Sequence, residues 1–168
     1  MIQKKICMVG VFGTGKTSMV RQFVFSKFSE KYHSTVGVKV DRTEVEVDGS
    51  TVKLLLWDLE GRDGHQDIQT SYLRGAAGII YVVDGTRRET FEQLFELRLV
   101  VTRAIGEVPS VVAVNKADLA DQWQITDEQF NALDESKWHR LKTSAKTGEG
   151  VENAFLWLAR AMTGGGTS

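Results

Sequence analysis

A glycine-rich segment near the N-terminus constrains the fold of this chain more than any other feature. Residues 10–17 read Gly-Val-Phe-Gly-Thr-Gly-Lys-Thr, which fits G-x-x-x-x-G-K-S/T, directly after an apolar run and directly before an amphipathic stretch. Glycines let successive backbone N–H groups turn towards phosphate oxygens, and the start of the following helix adds positive potential. The segment therefore predicts a phosphate-binding loop in which Lys16 contacts the terminal phosphates and Thr17 takes a Mg²⁺ position.

The other apolar runs predict a mostly parallel sheet. Short runs of largely branched side chains are typical of strands that are buried on both faces. They lie at residues 6–9, 54–57, 79–83 and 111–114, with a weaker candidate at 138–143. A further strand over residues 38–47 precedes Asp48-Gly49, a hairpin turn signal, and this predicts one antiparallel edge strand.

Helical spacing of apolar residues separates these strands. It predicts helices over residues 16–25, 90–105 and 151–162. Alternating strands and helices favour a doubly wound α/β fold, here a mostly parallel six-stranded sheet with about five helices. The 168 residues fit one domain, so we expect a single unit over residues 1–163 and a flexible tail over residues 164–168.

Composition excludes several classes of function. The net charge of −1 gives no global field that would attract nucleic acid, and the single cysteine excludes an intramolecular disulfide or a cysteine-based zinc cluster. No stretch approaches the ~20 apolar residues of a membrane span. The C-terminus has no cysteine for lipid attachment, so we expect a cytoplasmic protein without a lipid anchor in this chain.

Two further segments follow predicted strands at the edge where such sheets bind ligands. Asp58 ends one strand, where its carboxylate can hold a water of Mg²⁺, and Gly61 lets its N–H approach a terminal phosphate closely. Another predicted strand is followed by Asn115-Lys116-Ala117-Asp118. The Asp118 carboxylate can accept two hydrogen bonds from guanine, whereas adenine offers no matching pair of donors. Asn115 can tie this segment to the phosphate loop, and the Lys116 stem can cover the base.

Taken in order, these segments resemble the Ras superfamily of small GTPases, most closely its Rab-like branch, from Lys5 to about Met162. Tyr72-Leu73-Arg74-Gly75-Ala76 also looks like the Rab pattern. The resemblance implies a GTP/GDP switch that carries Mg²⁺. It also implies that an effector, exchange factor or activating protein binds through residues 26–38 and 59–75.

The resemblance also implies roles for individual residues. Thr35 looks like the threonine that ligates Mg²⁺ and senses the γ-phosphate, and Phe28 looks like the aromatic residue against the guanine edge. The implied metal positions are Thr17, Thr35 and Asp58, and the implied catalytic positions are Arg62, Thr35 and Lys16. The implied nucleotide-binding positions are Gly13, Thr14, Gly15, Lys16, Thr17, Ser18, Phe28, Thr35, Gly61, Asn115, Lys116, Asp118, Ser144, Ala145 and Lys146.

Three residues depart from the family pattern. Phe12 places a bulky ring where the family often has a small residue, and Glu60 replaces the usual alanine. Arg62 stands in place of the glutamine that orients the attacking water. Arginine has five donors and no acceptor, so it cannot replace both functions of the amide. We therefore expect slow intrinsic GTP hydrolysis.

The sequence leaves two alternative functions open. The first is a binding module held in one nucleotide state with negligible turnover, which Phe12 and Arg62 favour. The second is an ATP-using kinase, against which the guanine-reading segment argues. Residues 87–89, Arg-Arg-Glu, are interpreted as a solvated helix start, and Cys7, Trp123, Trp138 and Trp157 as packing residues.

Overall fold

The computed structural model describes residues 2–25, 29–31, 38–59, 70–136 and 138–164. The strands are β1 (Ile2–Val9), β2 (Ser29–Lys31), β3 (Val38–Val47), β4 (Ser50–Leu59), β5 (Ala76–Asp84), β6 (Ser110–Asn115) and β7 (His139–Lys142). The α-helices are α1 (Lys16–Phe25), α2 (Arg88–Ile105), α3 (Asp127–Ala132) and α4 (Val151–Met162). Short 3₁₀ turns lie at Thr70–Leu73, Ala120–Gln122 and Leu133–Ser136.

The strands form one mixed sheet in the order β2-β3-β4-β1-β5-β6-β7. Strands β4, β1, β5, β6 and β7 pair in parallel, and β2, β3 and β4 pair antiparallel. The doubly wound fold is confirmed, and each of the six predicted strands is present. The short β2, which pairs Ser29 with Thr43, adds a seventh strand beyond β3.

The hairpin between β3 and β4 forms as predicted. Asp48 and Gly49 both have positive φ, at 49° and 83°, and they join the paired residues Val47 and Ser50. Two successive residues with positive φ match the right-handed twist of the flanking strands. The turn therefore fixes the register of β3 against β4.

Two predicted helices, α1 and α4, have the predicted bounds, and α2 begins two residues earlier than predicted, at Arg88. The described residues contain four α-helices, against the expected five or so. The six-residue α3 was not predicted, because none of its side chains is buried and it has no apolar periodicity. Its sequence signal is a capping box, in which Thr126 and Gln129 exchange hydrogen bonds.

Alternating side chains of β1 separate the core into two layers. Ile6 and Met8 face the layer under α1 and α4, where Phe23 and Phe155 stack with ring centroids 4.1 Å apart. Cys7 lies in the layer under α2, so its interpretation as a packing residue is confirmed.

Helices α1 and α2 follow the adjacent parallel strands β1 and β5 and pack on opposite faces of the sheet. This arrangement opens a crevice at the carboxyl ends of the two strands, where α/β sheets bind ligands. None of the described helices is both long and apolar enough to cross a membrane.

Candidate functional site

The loop of residues 10–17 lies in this crevice, between β1 and α1. Gly13 and Gly15 have φ values of 81° and 103°, in the left-handed region that side chains disfavour. A Cβ atom at Gly10 would lie 2.5 Å from the carbonyl oxygen of Val82. The three glycines are therefore required by backbone geometry and close packing.

Lys16 lies inside the loop. Its side chain is buried, and its Nζ donates to the carbonyl oxygens of Gly10, at 2.9 Å, and Val11, at 3.1 Å. These bonds hold a positive charge in the curve of the loop, which is where the sequence places the terminal phosphates.

Thr17 and Asp58 form the oxygen-rich part of the site. The Thr17 hydroxyl donates to Oδ2 of Asp58, which is buried at the carboxyl end of β4. A hydroxyl and a carboxylate are the hard oxygen donors that Mg²⁺ prefers. Within the described residues no group of three or more His, Cys, Asp or Glu side chains could hold a metal. This donor pair therefore fits an ion that takes its other ligands from phosphates and water.

Asn115 connects three segments of the site. Its Nδ2 donates to the carbonyl of Thr14 at 3.0 Å, and its Oδ1 accepts from the Thr143 hydroxyl at 3.0 Å and the Ala145 N–H at 3.2 Å. The amide is buried and carries the connection between the phosphate loop and residues 143–146. This geometry agrees with the expectation that Asn115 ties the loops together.

Lys116 lies against the same loop. Its backbone has φ 71°, and its Nζ donates to the carbonyl of Gly13 at 3.0 Å and to Oδ2 of Asp84 at 2.8 Å. The ammonium group thus bonds both the phosphate loop and the carboxyl end of β5.

Asp84, at the end of β5, was not singled out from the sequence. Its side chain is 1% exposed, and its two oxygens accept from Thr86, Arg87 and Lys116. Burial raises the pKa of the Asp84 carboxyl, but the hydrogen bonds from Lys116, Thr86 and Arg87 outweigh burial and hold that pKa below its ordinary value. Asp84 is therefore a buried carboxylate that anchors two cations.

The interpretation of Arg87 as part of a solvated helix start is wrong, because its side chain bonds two other parts of the chain. Its Nε donates to Oδ2 of Asp84 at 2.9 Å, and its Nη2 donates to the carbonyl of Phe12 at 2.8 Å. The bond to Phe12 spans 75 residues of sequence, so no local pattern signals it. Arg88, the next residue, is exposed as expected.

Asp118 and Ser144 lie together at the other end of the site. Asp118 is exposed, and its Oδ1 accepts from the buried Ser144 hydroxyl at 2.7 Å. The Ser144 oxygen in turn accepts from the Thr147 N–H at 3.1 Å. An exposed carboxylate with a fixed orientation can accept a pair of donors from a ligand. Lys146 is exposed beside this pair.

Several predicted positions fall elsewhere. Phe28, Thr35, Glu60, Gly61 and Arg62 lie outside the described residues. Ser18 is exposed in the first turn of α1. Phe12 is 64% exposed, so its ring stands out from the phosphate loop.

The residues expected to act only in packing do so. Burial raises the pKa of the Cys7 thiol to about 12, despite the opposing effect of Lys5. Trp138 is buried, Trp157 stacks on His139 at 4.2 Å, and Trp123 covers Gly85 so closely that a Cβ atom there would overlap its ring.

Comparisons with known proteins cover nearly the whole chain. The sequence model of the Ras family matches residues 5–164. Ras-related protein Rab-1 of Theileria parva is 35% identical over 161 residues, which are 94% of this chain and 73% of the relative. Ras-related protein Rab-4B of Homo sapiens is 38% identical over 160 residues, 94% of this chain and 75% of the relative. Ras-related protein Rab-8A of Gallus gallus is 35% identical over 158 residues, 93% of this chain and 76% of the relative.

Proposed function

The chain belongs to the Ras family of small GTP-binding switch proteins, and on that premise we propose that GTP and GDP bind between the phosphate loop and Asp118. Family membership supports a switch and gives no support to a module held in one nucleotide state. Within the described residues, no observation favours the alternative of an ATP-using kinase.

The observation that carries this proposal is the set of hydrogen bonds made by Asn115. Its side chain bonds the phosphate loop at Thr14 and the base-side loop at Thr143 and Ala145. A triphosphate on residues 13–18 and a guanine base on Asp118 would therefore share one rigid frame. Asp118 would accept from the guanine N1–H and amino groups, and adenine would leave this carboxylate poorly matched.

We propose that Thr17, Asp58 and Thr35 form the Mg²⁺ position. The contact between the Thr17 hydroxyl and the Asp58 carboxylate supports the first two, and Thr35 rests on the family resemblance alone. When bound, Mg²⁺ supplies positive charge that offsets the charge of the β- and γ-phosphates. The Lys16 ammonium group would supply a second positive charge from inside the loop.

Ras-family proteins are GTPases, which break the β–γ phosphoanhydride bond by attack of water and release GDP and phosphate. For this chain we propose that the reaction is slow. Arg62 has no acceptor to orient the attacking water. The exposed ring of Phe12 lies on the same loop that holds Lys16, where it would crowd the space that a water-orienting group needs. Glu60 adds negative charge to a region where charge already gathers in the transition state.

Residues 26–38 and 59–75 are proposed as the surface for an effector, exchange factor or activating protein. Thr35 and Gly61 lie in these two ranges, so the γ-phosphate would order both segments and its loss would release them. We also propose that residues 1–163 act as one domain.

Single-turnover hydrolysis of GTP tests the slow reaction. We expect a rate constant of about 10⁻⁴ s⁻¹ or below for the chain alone. Arg62→Gln restores a group with both donor and acceptor, so it should hydrolyse GTP faster, and more so when combined with Phe12→Gly. A slower Arg62→Gln variant would instead identify Arg62 as a group that neutralises transition-state charge, contrary to the proposal.

A further inference from the structure

Three successive carbonyl groups of the phosphate loop each accept a hydrogen bond from a side chain elsewhere in the chain. The Phe12 carbonyl accepts from Arg87 at 2.8 Å, the Gly13 carbonyl from Lys116 at 3.0 Å, and the Thr14 carbonyl from Asn115 at 3.0 Å. Asn115 and Lys116 belong to the segment Asn115-Lys116-Ala117-Asp118, which ends in the residue proposed to recognise the base. Arg87 belongs to no motif, and yet it occupies the first position of the series.

These bonds determine where the neighbouring N–H groups point. In a trans peptide the C=O and N–H point in opposite directions, and the described chain contains no cis peptide bond. Arg87 draws the Phe12 carbonyl outward, so the Gly13 N–H of the same peptide points away from the guanidinium. Lys116 and Asn115 have the same effect on the N–H groups of Thr14 and Gly15.

The Gly13 peptide can rotate more freely than most, because glycine populates many backbone conformations. Gly13 holds φ 81°, and a Cβ atom there would lie 3.3 Å from Nη2 of Arg87. The guanidinium thus lies directly against the outer side of this residue. It is the contact best placed to keep the Phe12–Gly13 peptide in a single orientation.

Arg87 is itself held in place. Its Nε bonds Oδ2 of Asp84, the oxygen that also receives Lys116, and Oδ1 of Asp84 is occupied by Thr86. Arg87 is 37% exposed and Asp84 only 1%. A guanidinium can bridge two acceptors at fixed angles, whereas an ammonium group acts as a single point of charge. The buried carboxylate therefore sets the position of the guanidinium, and the guanidinium sets that of the peptide.

We propose that Arg87 is a positioning residue for the nucleotide phosphates, and that it acts by aiming the Gly13 N–H into the phosphate site. This inference rests on the proposed nucleotide site. It assigns to Arg87 an effect on phosphate contacts that is separate from base recognition by Asp118.

The test compares the full-length chain with Arg87→Ala, Arg87→Lys and the control Arg88→Ala, each loaded with GDP carrying a fluorescent ribose label. Arg88→Ala removes the same charge one residue further on, at an exposed position. Release of labelled GDP is timed after addition of excess unlabelled GDP, and the Gly13 amide is followed by ¹H–¹⁵N NMR in the GDP complex.

We expect Arg87→Ala to release GDP about tenfold faster, the size expected for one charge-assisted hydrogen bond. Its Gly13 amide resonance should lose the shift produced by phosphate binding, and Arg88→Ala should match the wild type in both readouts. Arg87→Lys should also release GDP faster than the wild type, because it keeps the charge but cannot bridge both acceptors.

Three results would overturn the inference. One is release by Arg87→Ala within twofold of the wild type. Another is faster release with an unchanged Gly13 amide, which would make the role purely structural. The third is full rescue by Arg87→Lys, which would show that charge alone suffices. If the wild type and Arg88→Ala both fail to retain GDP, the proposed nucleotide site fails first and the inference falls with it.

Discussion

The phosphate side and the base side of the site are built differently. On the phosphate side, side chains from three other positions hold successive carbonyls of the loop, and Lys16 and Asp58 are buried. On the base side, Asp118 is exposed, and a single hydrogen bond from Ser144 holds it within the described residues.

The difference separates the residues that should set affinity from those that should set specificity. In the proposed site, phosphate oxygens would meet backbone N–H groups whose directions depend on several side chains, so the loss of one side chain would leave the others in place. In the same proposal, the preference for guanine would depend mainly on the Asp118 carboxylate, so its loss should remove most of that preference. Substitutions on the two sides should therefore have effects on nucleotide binding that differ in size and in whether they change base preference.

The largest effect is expected at Asp118. Asp118→Ala removes the paired acceptor for guanine, so GTP affinity should fall by about two decades or more. Asp118→Asn should shift preference towards xanthosine triphosphate, since the amide reverses one donor–acceptor match. Competition binding with the two triphosphates measures this. No gain for xanthosine triphosphate over GTP in Asp118→Asn would mean that the base is read elsewhere.

A smaller and more selective effect is expected at Thr17. Thr17→Asn removes the hydroxyl that contacts Asp58. It should lower the affinity for GTP about tenfold more than the affinity for GDP, because Mg²⁺ bridges the β- and γ-phosphates in the triphosphate state. Titration of both nucleotides with and without a magnesium chelator checks this, with Asn153→Ala, at an exposed position of α4, as the control. Equal loss for GTP and GDP would argue against a metal role for Thr17.

The smallest effect is expected at Asp84, which acts through its two cations. Asp84→Asn should lower the free energy of unfolding by about 1 kcal/mol at pH 7. The folded-state pKa of Asp84 lies below its ordinary value, so this contribution is full above pH ~4 and is lost as pH falls through the folded-state pKa. Urea unfolding of the GDP complex from pH 7 down to about pH 2 should show the wild type and the variant converging only below pH ~4. A difference that grows in acid would mean that Asp84 is not a stabilised anion.

Much of this arrangement could be predicted from sequence, because its signals are local. The glycine-rich loop, the strands that end in Asp58 and Asn115, and the Asp48-Gly49 hairpin each depend on neighbouring residues. The parts that could not be predicted depend on distant contacts or lack an apolar pattern. Arg87 meets Phe12 across 75 residues, and α3 buries none of its side chains. Asp84 lies near the carboxyl end of a strand as Asp58 does, but only the fold reveals that Arg87 and Lys116 bond it.

The base bound by the purified protein tests the central claim most directly. The protein is denatured, and the released nucleotide is identified by chromatography, which reports base and phosphate number together. A site that reads guanine through Asp118 and holds phosphates on residues 13–18 predicts GDP or GTP in amounts close to one per chain. The same protein should exchange its nucleotide with added GTP, while an equal concentration of ATP leaves it bound. Release of an adenine nucleotide, or displacement by ATP as effective as by GTP, would contradict the account.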